Sequence, residues 1–170
     1  LHQLRQRQIA QLAVQHGLHF RISPAEGIAN HHVIRVIRHM ARSEAITRNT
    51  PVTVCPSKNL QSCTAGTWES GWIRFVDNNH NQVLDAEELI LGVSPPVPGF
   101  IIRSEAFARA FSYEPSGRVI AANSQQRSGE FTFCAMGAGE SAQVVIVNPV
   151  GEPALSANRA NGSTPGCELP

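Results

Sequence analysis

Residues 41–91, ARSEAITRNTPVTVCPSKNLQSCTAGTWESGWIRFVDNNHNQVLDAEELIL, change texture within their first ten positions, and that change decides the fold. Ala41, Ala45 and Ile46 close an apolar stripe at helical spacing. From Thr50 onward the apolar residues gather instead into short runs, at Val52–Cys55, Gly71–Val76 and Leu89–Val93. Runs of this length, separated by turn formers, are the pattern of strands. A helix followed by a series of strands predicts an α+β domain.

Upstream, Ser23-Pro24-Ala25-Glu26 supplies Ser at the N-cap, Pro at N1 and Glu at N3, a capping box that starts a helix. Behind it Ile28, Val33, Ile34, Val36, Ile37 and Met40 continue the stripe, while Arg35, Arg38, Arg42 and Arg48 fall largely off it. The spacing therefore predicts one helix over 24–48. An earlier helical stretch, 3–16, stops at Gly17. Residues 1–22 are polar, rich in Arg, Gln and His, and are set apart from the globular part, 23–170.

Downstream, Ser94-Pro95-Pro96-Val97-Pro98-Gly99 must be a loop. Further strands are predicted at Phe100–Arg103, Phe111–Tyr113, Val119–Ala122, Phe131–Met136 and Gln143–Val147, with a turn at Pro115-Ser116-Gly117. This places all strands within 50–148. The tail 149–170 is rich in Pro, Gly, Asn and Ala and is expected to be irregular. No internal repeat is visible.

At 170 residues and 42% hydrophobic, the chain can bury the core of one domain. Only 16% of it is charged, which is low for a cytosolic enzyme and common in exported β-rich proteins. No run approaches the ~20 apolar residues that span a bilayer. No charged n-region precedes an apolar h-region, so a targeting segment of an exported chain would lie outside these residues. The net charge of +1 hides an asymmetry of +5 in residues 1–48 against −4 in the remainder. Arginines on one helix face can meet phosphates or acidic surfaces, but a solvated helix face is the simpler reading.

Four cysteines, with no CxxC and no zinc-like Cys/His spacing, favour disulfides and an oxidising compartment. Cys55 and Cys63 enclose a turn-rich loop, Cys134 ends a strand-like run and Cys167 lies in the tail. The economical pairing is Cys55–Cys63 with Cys134–Cys167, although sequence alone leaves the connectivity open. Four buried thiols in a reducing compartment fit the polar flanks less well.

Asp77, Asn79, Asn81, Asp85 and Glu88 stand at positions 1, 3, 5, 9 and 12 of a twelve-residue segment, the spacing of a calcium loop. Gln82 occupies the position where such loops carry Gly, and strands rather than helices flank it, so a plain hairpin loop is preferred. His31, His32 and His39 are seven and eight residues apart, not four, and have no carboxylate alongside. No Ser/His/Asp arrangement and no phosphate-cradling glycine loop can be read, so neither an enzyme nor a cofactor is expected.

The stretch Ala41-Arg42-Ser43-Glu44-Ala45-Ile46, Arg48-Asn49 and Pro51-Val52-Thr53-Val54-Cys55-Pro56-Ser57 resembles the GspH/FimT/FimU family. The likeness continues through Cys63, Trp68, Gly71-Trp72-Ile73, Phe75-Val76-Asp77 and the turn ending in Glu88. It resumes at Phe111-Ser112-Tyr113, Pro115-Ser116-Gly117-Arg118, Phe131-Thr132-Phe133-Cys134 and Val144–Val147.

The resemblance implies a pilin-like fold, an N-terminal helix packed on antiparallel sheets. Trp68 and Trp72 are then expected to seal the sheet beside the Cys55–Cys63 loop. It further implies a non-enzymatic minor pilin that acts in the priming, assembly or tip of a type IV pilus, or a pseudopilin of type II secretion. Implied partners are other minor pilins and the major pilin. The implied location is the bacterial inner membrane and periplasm before assembly, then the pilus. Family members are anchored by an apolar N-terminal helix, which Leu1–Ile22 does not resemble.

Some family members bind DNA through a Gly-Arg-x-Arg element after the last core strand. Here that place reads Val150-Gly151-Glu152-Pro153-Ala154, and Arg159 is the cation left in the tail. With few phosphate-neutralising cations, DNA binding is the less favoured alternative. It would fall to the helix arginines or to Arg118 and Arg127.

Overall fold

The computed structural model describes residues 40–65, 68–121, 126–136 and 142–167. Within them the helix α1 spans Arg42–Arg48. The part of the expected helix over 24–39 lies outside the described residues, as do the capping box, residues 1–22 and the three helix histidines. Helix α1 ends where Asn49 turns left-handed, φ 52°, and its N–H returns to the carbonyls of Ala45 and Ile46. Asn tolerates that conformation, and Pro51 two residues on cannot continue a helix.

Nine strands follow among the described residues. β1 (Val52–Pro56), β2 (Trp72–Val76), β3 (Ile90–Ser94), β5 (Phe111–Tyr113) and β6 (Val119–Ala121) form an antiparallel sheet in the order β3-β2-β1-β5-β6. β4 (Phe100–Arg103), β7 (Gly129–Ala135), β8 (Ala142–Val147) and β9 (Pro153–Ser156) form a second, in the order β4-β7-β8-β9. Eight of the strands lie where the apolar runs predict them, give or take two residues.

The ninth is a correction. The tail expected to be irregular carries β9, which pairs Pro153–Ser156 with Val147–Val144. A tight turn makes the hairpin: Asn148 N–H donates to Glu152 O, Gly151 N–H to Asn148 O, and Glu152 N–H to Asn148 Oδ1. The sequence signal was the Asn148-Pro149-Val150-Gly151 run directly after an apolar strand.

Period-two alternation sends the residues of the first sheet to two different cores. Val52 and Val54, with Tyr113 and Phe111 opposite them, face α1 and the second sheet. There they join Ala41, Ala45, Phe100, Ile102, Phe107, Phe131, Phe133, Val145 and Val147. Cys55, Ile73, Phe75 and Ala110 face the other way, under Leu60, Cys63 and Leu84. Both faces of β1 are therefore covered, and all five of its residues are buried. Ala41 and Ala45 have no exposed surface, since short side chains let the helix lie close on the sheet.

Trp68 stands in a single 3-10 turn, Trp68–Ser70, and not in a strand. It packs edge-on to Phe131 at 5.2 Å and against Phe111 at 5.7 Å, and its indole N–H donates to Phe107 O at 2.9 Å. Trp72 is opposite Pro56 and belongs to the same cluster. Both tryptophans thus sit on the face of the sheet away from Cys55 and Cys63, not beside the disulfide loop. For Trp72 the reason is pleat parity, because Trp72 and Ile73 alternate and Ile73 is the residue opposite Cys55, whereas Trp68 is held there by its bond to Phe107 O and its packing on Phe111 and Phe131.

Candidate assembly surface

Three segments meet at one corner. The Nε–H of Arg42 donates to Gly117 O at 3.1 Å, and its Nη1 stands 4.0 Å from Glu152. Gly117, φ 77°, closes the β5–β6 turn through its N–H to Glu114 O. Tyr113 donates its phenol to Gly151 O at 3.0 Å. Helix α1, the turn after β5 and the turn after β8 are joined there by polar groups, and Ile46 is left 45% exposed beside them. Glu152 is the acid that stands beside the helix arginine Arg42. Burial raises the Tyr113 pKa well above its ordinary value, with Arg42 opposing and Glu152 reinforcing the shift.

The turn 77–88 closes on itself. The Asp77 carboxylate accepts the N–H groups of Asn81 and Gln82 at 3.1 and 3.0 Å, and the Thr53 hydroxyl at 2.7 Å. Glu88 accepts Asn78 and Asp85 N–H, while Asp85 accepts the amides of Asn79 and Asn81. His80 and Gln82 take left-handed conformations, φ 60° and 59°. The absence of Gly at position 82 therefore does not prevent the sharp turn, as its identity had suggested. Gln82 also docks the turn on the sheet, donating to Ser112 Oγ and Ile120 O. Among the described residues no three His, Cys, Asp or Glu side chains converge as a metal-holding group.

Both expected disulfides are formed. Cys55–Cys63 pins the loop after β1, and Cys134–Cys167 ties the tail to β7. Four further arginines of the described residues are paired with acids: Arg48 with Glu44, Arg103 with Glu69, Arg127 with Glu114 and Arg159 with Glu130. Arg127, a candidate phosphate contact, is thus held at 2.6 Å by a carboxylate. A groove of about 550 Å³ runs beside Glu105, Arg109, Glu130 and Arg159, but the last two face each other at 2.6 Å.

No described helix is long and apolar enough to cross a membrane. Apolar side chains are exposed at Leu89, Ile90 and Val93 around β3, at Leu155 in β9, and at Val83, Met136 and Val150 in loops. What the molecule offers is therefore surface: a helix corner, two outer strands and rigid loops. Sequence reasoning located the loops and disulfides and missed β9 and the Arg42–Glu152 contact, which joins residues 110 positions apart.

The family model described as type II transport protein GspH matches residues 38–151. No curated protein matches the chain. Two crystal forms of the type IV minor pilin FimU from Pseudomonas aeruginosa share the fold at 14% identity, with TM-scores of 0.62 and 0.60. Each comparison covers 84% of this chain, and 94% and 99% respectively of the FimU chains. With 114 residues, two thirds of the chain, matched to the family model, the chain belongs to the GspH/FimT/FimU family.

Proposed function

We propose that this protein is a non-enzymatic subunit that helps prime, assemble or cap a type IV pilus, where it contacts other minor pilins and the major pilin. The observation that carries this reading is the match to the family together with the FimU-like fold. The described surface supports it: exposed apolar residues lie on outer strands and on α1, whereas Arg48, Arg127 and Arg159 are each paired with a carboxylate. Before assembly the subunit is held at the inner membrane with its head in the periplasm, where both disulfides are at home. An in-frame deletion tests it. Loss of surface pili and twitching, restored by the intact gene, is the expected result, and normal piliation would refute it.

The second reading is a pseudopilin of type II secretion, favoured by the description of the matching family. The same deletion strain separates the two, because a pseudopilin would abolish export of secreted enzymes and spare the pili. DNA capture is the least supported role, given the pairing of Arg42, Arg48 and Arg127 with acids. A gel shift at low salt with micromolar head is expected to leave duplex DNA unbound.

A further inference from the structure

β3 is one of the two outer strands of the five-stranded sheet, and no described strand pairs with its other side. An outer strand presents a row of open N–H and C=O groups, which folded proteins usually blunt with charge or Pro. The β3 sequence ILGVS has neither, and its register shift lies on the paired side, against Arg74 and Phe75. Ile90 and Val93 are 37% and 49% exposed, and Leu89 just before them 57%.

Beside this edge lies an arginine without an acid. Arg74 on β2 is 9% exposed, and its guanidinium lies directly over Gly92, where an added Cβ would come within 2.5 Å of Cζ and Nη1. Nη2 reaches Leu91 O at 3.3 Å, while Nε is buried with no hydrogen bond. No described carboxylate is within ion-pair distance. Glu44 on α1 acts only from farther off and is held by Arg48 at 2.6 Å. A buried cation left in this state is costly, and a carboxylate would relieve it. Gly92 is the position on β3 whose missing side chain leaves the guanidinium reachable from the edge.

We propose that the β3 edge receives an extended segment of a different subunit of the same assembly, which adds as a strand to Ile90–Ser94 and places an Asp or Glu carboxylate beside Gly92 against Arg74. This rests on the assembly reading above. Pairing to β2 sets the pattern of the segment. Gly92 is opposite Arg74, whereas Ile90 and Val93 are opposite Phe75 and Ile73, so they face the other side of the sheet. The incoming acid is therefore flanked by apolar residues one position away on each side. Main-chain hydrogen bonds supply affinity, and the single buried charge pair supplies register.

Photo-cross-linking in pilus-forming cells tests this, with benzoylphenylalanine at Val93 of the full chain and sequencing of the adduct. The expected adduct is an extended segment of another pilin subunit carrying Asp or Glu between apolar residues. Its yield should fall on the order of tenfold in Arg74→Met and again in Ile90→Lys, since a desolvated charge pair controls dissociation. Ile90→Lys alters an exposed side chain, so it reads the edge even if Arg74→Met does not fold. Benzoylphenylalanine at Ile46 is the control. An adduct at Ile46 with none at Val93 overturns the edge proposal and leaves the assembly reading standing, whereas none at either position overturns both. An adduct from Val93 to residues 1–39 of the same chain, to a second copy, or at undiminished yield in both variants also overturns it.

Discussion

The phenol of Tyr113 and the carbonyl of Gly151 meet at 3.0 Å inside the protein, across thirty-eight residues of chain. Tyr113 has no exposed surface, so this bond locks the turn of the β8–β9 hairpin onto the central sheet and stands under the Arg42–Glu152 contact.

Removing the hydroxyl with Tyr113→Phe leaves a carbonyl without its donor, at a cost of about 1–2 kcal/mol in urea unfolding near pH 7. The pH dependence has a definite sign. An unfolded tyrosine ionises near ~10, while burial holds the folded one higher, so the unfolded state loses its proton first. Stability from this group is complete below pH ~10 and falls as pH rises beyond it, by at most ~1.4 kcal/mol per unit. Urea titrations between pH 9 and 11, as rough limits, should show a shallower decline in Tyr113→Phe than in the parent.

Gly151 has φ +80°, and a Cβ there would strike Gly117 O and approach Tyr113 Cε1 to 2.5 Å. Backbone and a buried ring cannot give way cheaply. Gly151→Ala is expected to cost more than about 2 kcal/mol and to lower the thermal midpoint accordingly. The same change at Gly162, with φ +83° but nothing within 4 Å, carries the conformational penalty alone and should cost less.

Asp77 serves Thr53, Asn81 and Gln82 at once, and Thr53 shares a 2.6 Å contact with Ser112. Asp77→Ala strands the buried Thr53 hydroxyl and two part-buried N–H groups, for which a loss of about 3 kcal/mol is expected. Hydrogen exchange should then accelerate over 77–88 before the rest of the sheet. Because the loop is closed by its own N–H groups and amides, chelation is expected to leave the thermal midpoint of the parent unchanged. A drop on adding chelator would identify the turn as a calcium site after all.

The two disulfides close spans of 8 and 33 residues. If their effect is mainly on the unfolded chain, breaking Cys134–Cys167 costs about 1 kcal/mol more than breaking Cys55–Cys63. Cys167→Ser should also raise exchange in β9, whose edge position leaves it dependent on the tie at the end of the tail. Denaturant midpoints of the two single-bridge variants decide the order.

Local chemistry made most elements legible in the sequence. The apolar stripe closing at Ala45 and Ile46 places the end of the helix, and runs such as Gly71–Val76 and Phe100–Arg103 declare strands, because apolar period and turn residues act within a few positions. The cysteine spacing suggested the bridges, and the family resemblance pointed to a surface for assembly rather than a catalytic cleft. Tertiary structure alone decided the rest. It made Pro153–Ser156 a strand, because an edge segment with little apolar pattern is defined by its partner Val144–Val147. It turned Trp72 away from the disulfide loop through the parity of pairing with β1, and Trp68 through its packing on Phe111 and Phe131. It also buried Arg74 over Gly92, where composition reads only a cation in a strand. In each case the deciding contact lies between residues far apart in the chain or across a sheet. Which face, neighbour or charge a residue meets is set by register, and register is a property of the whole sheet.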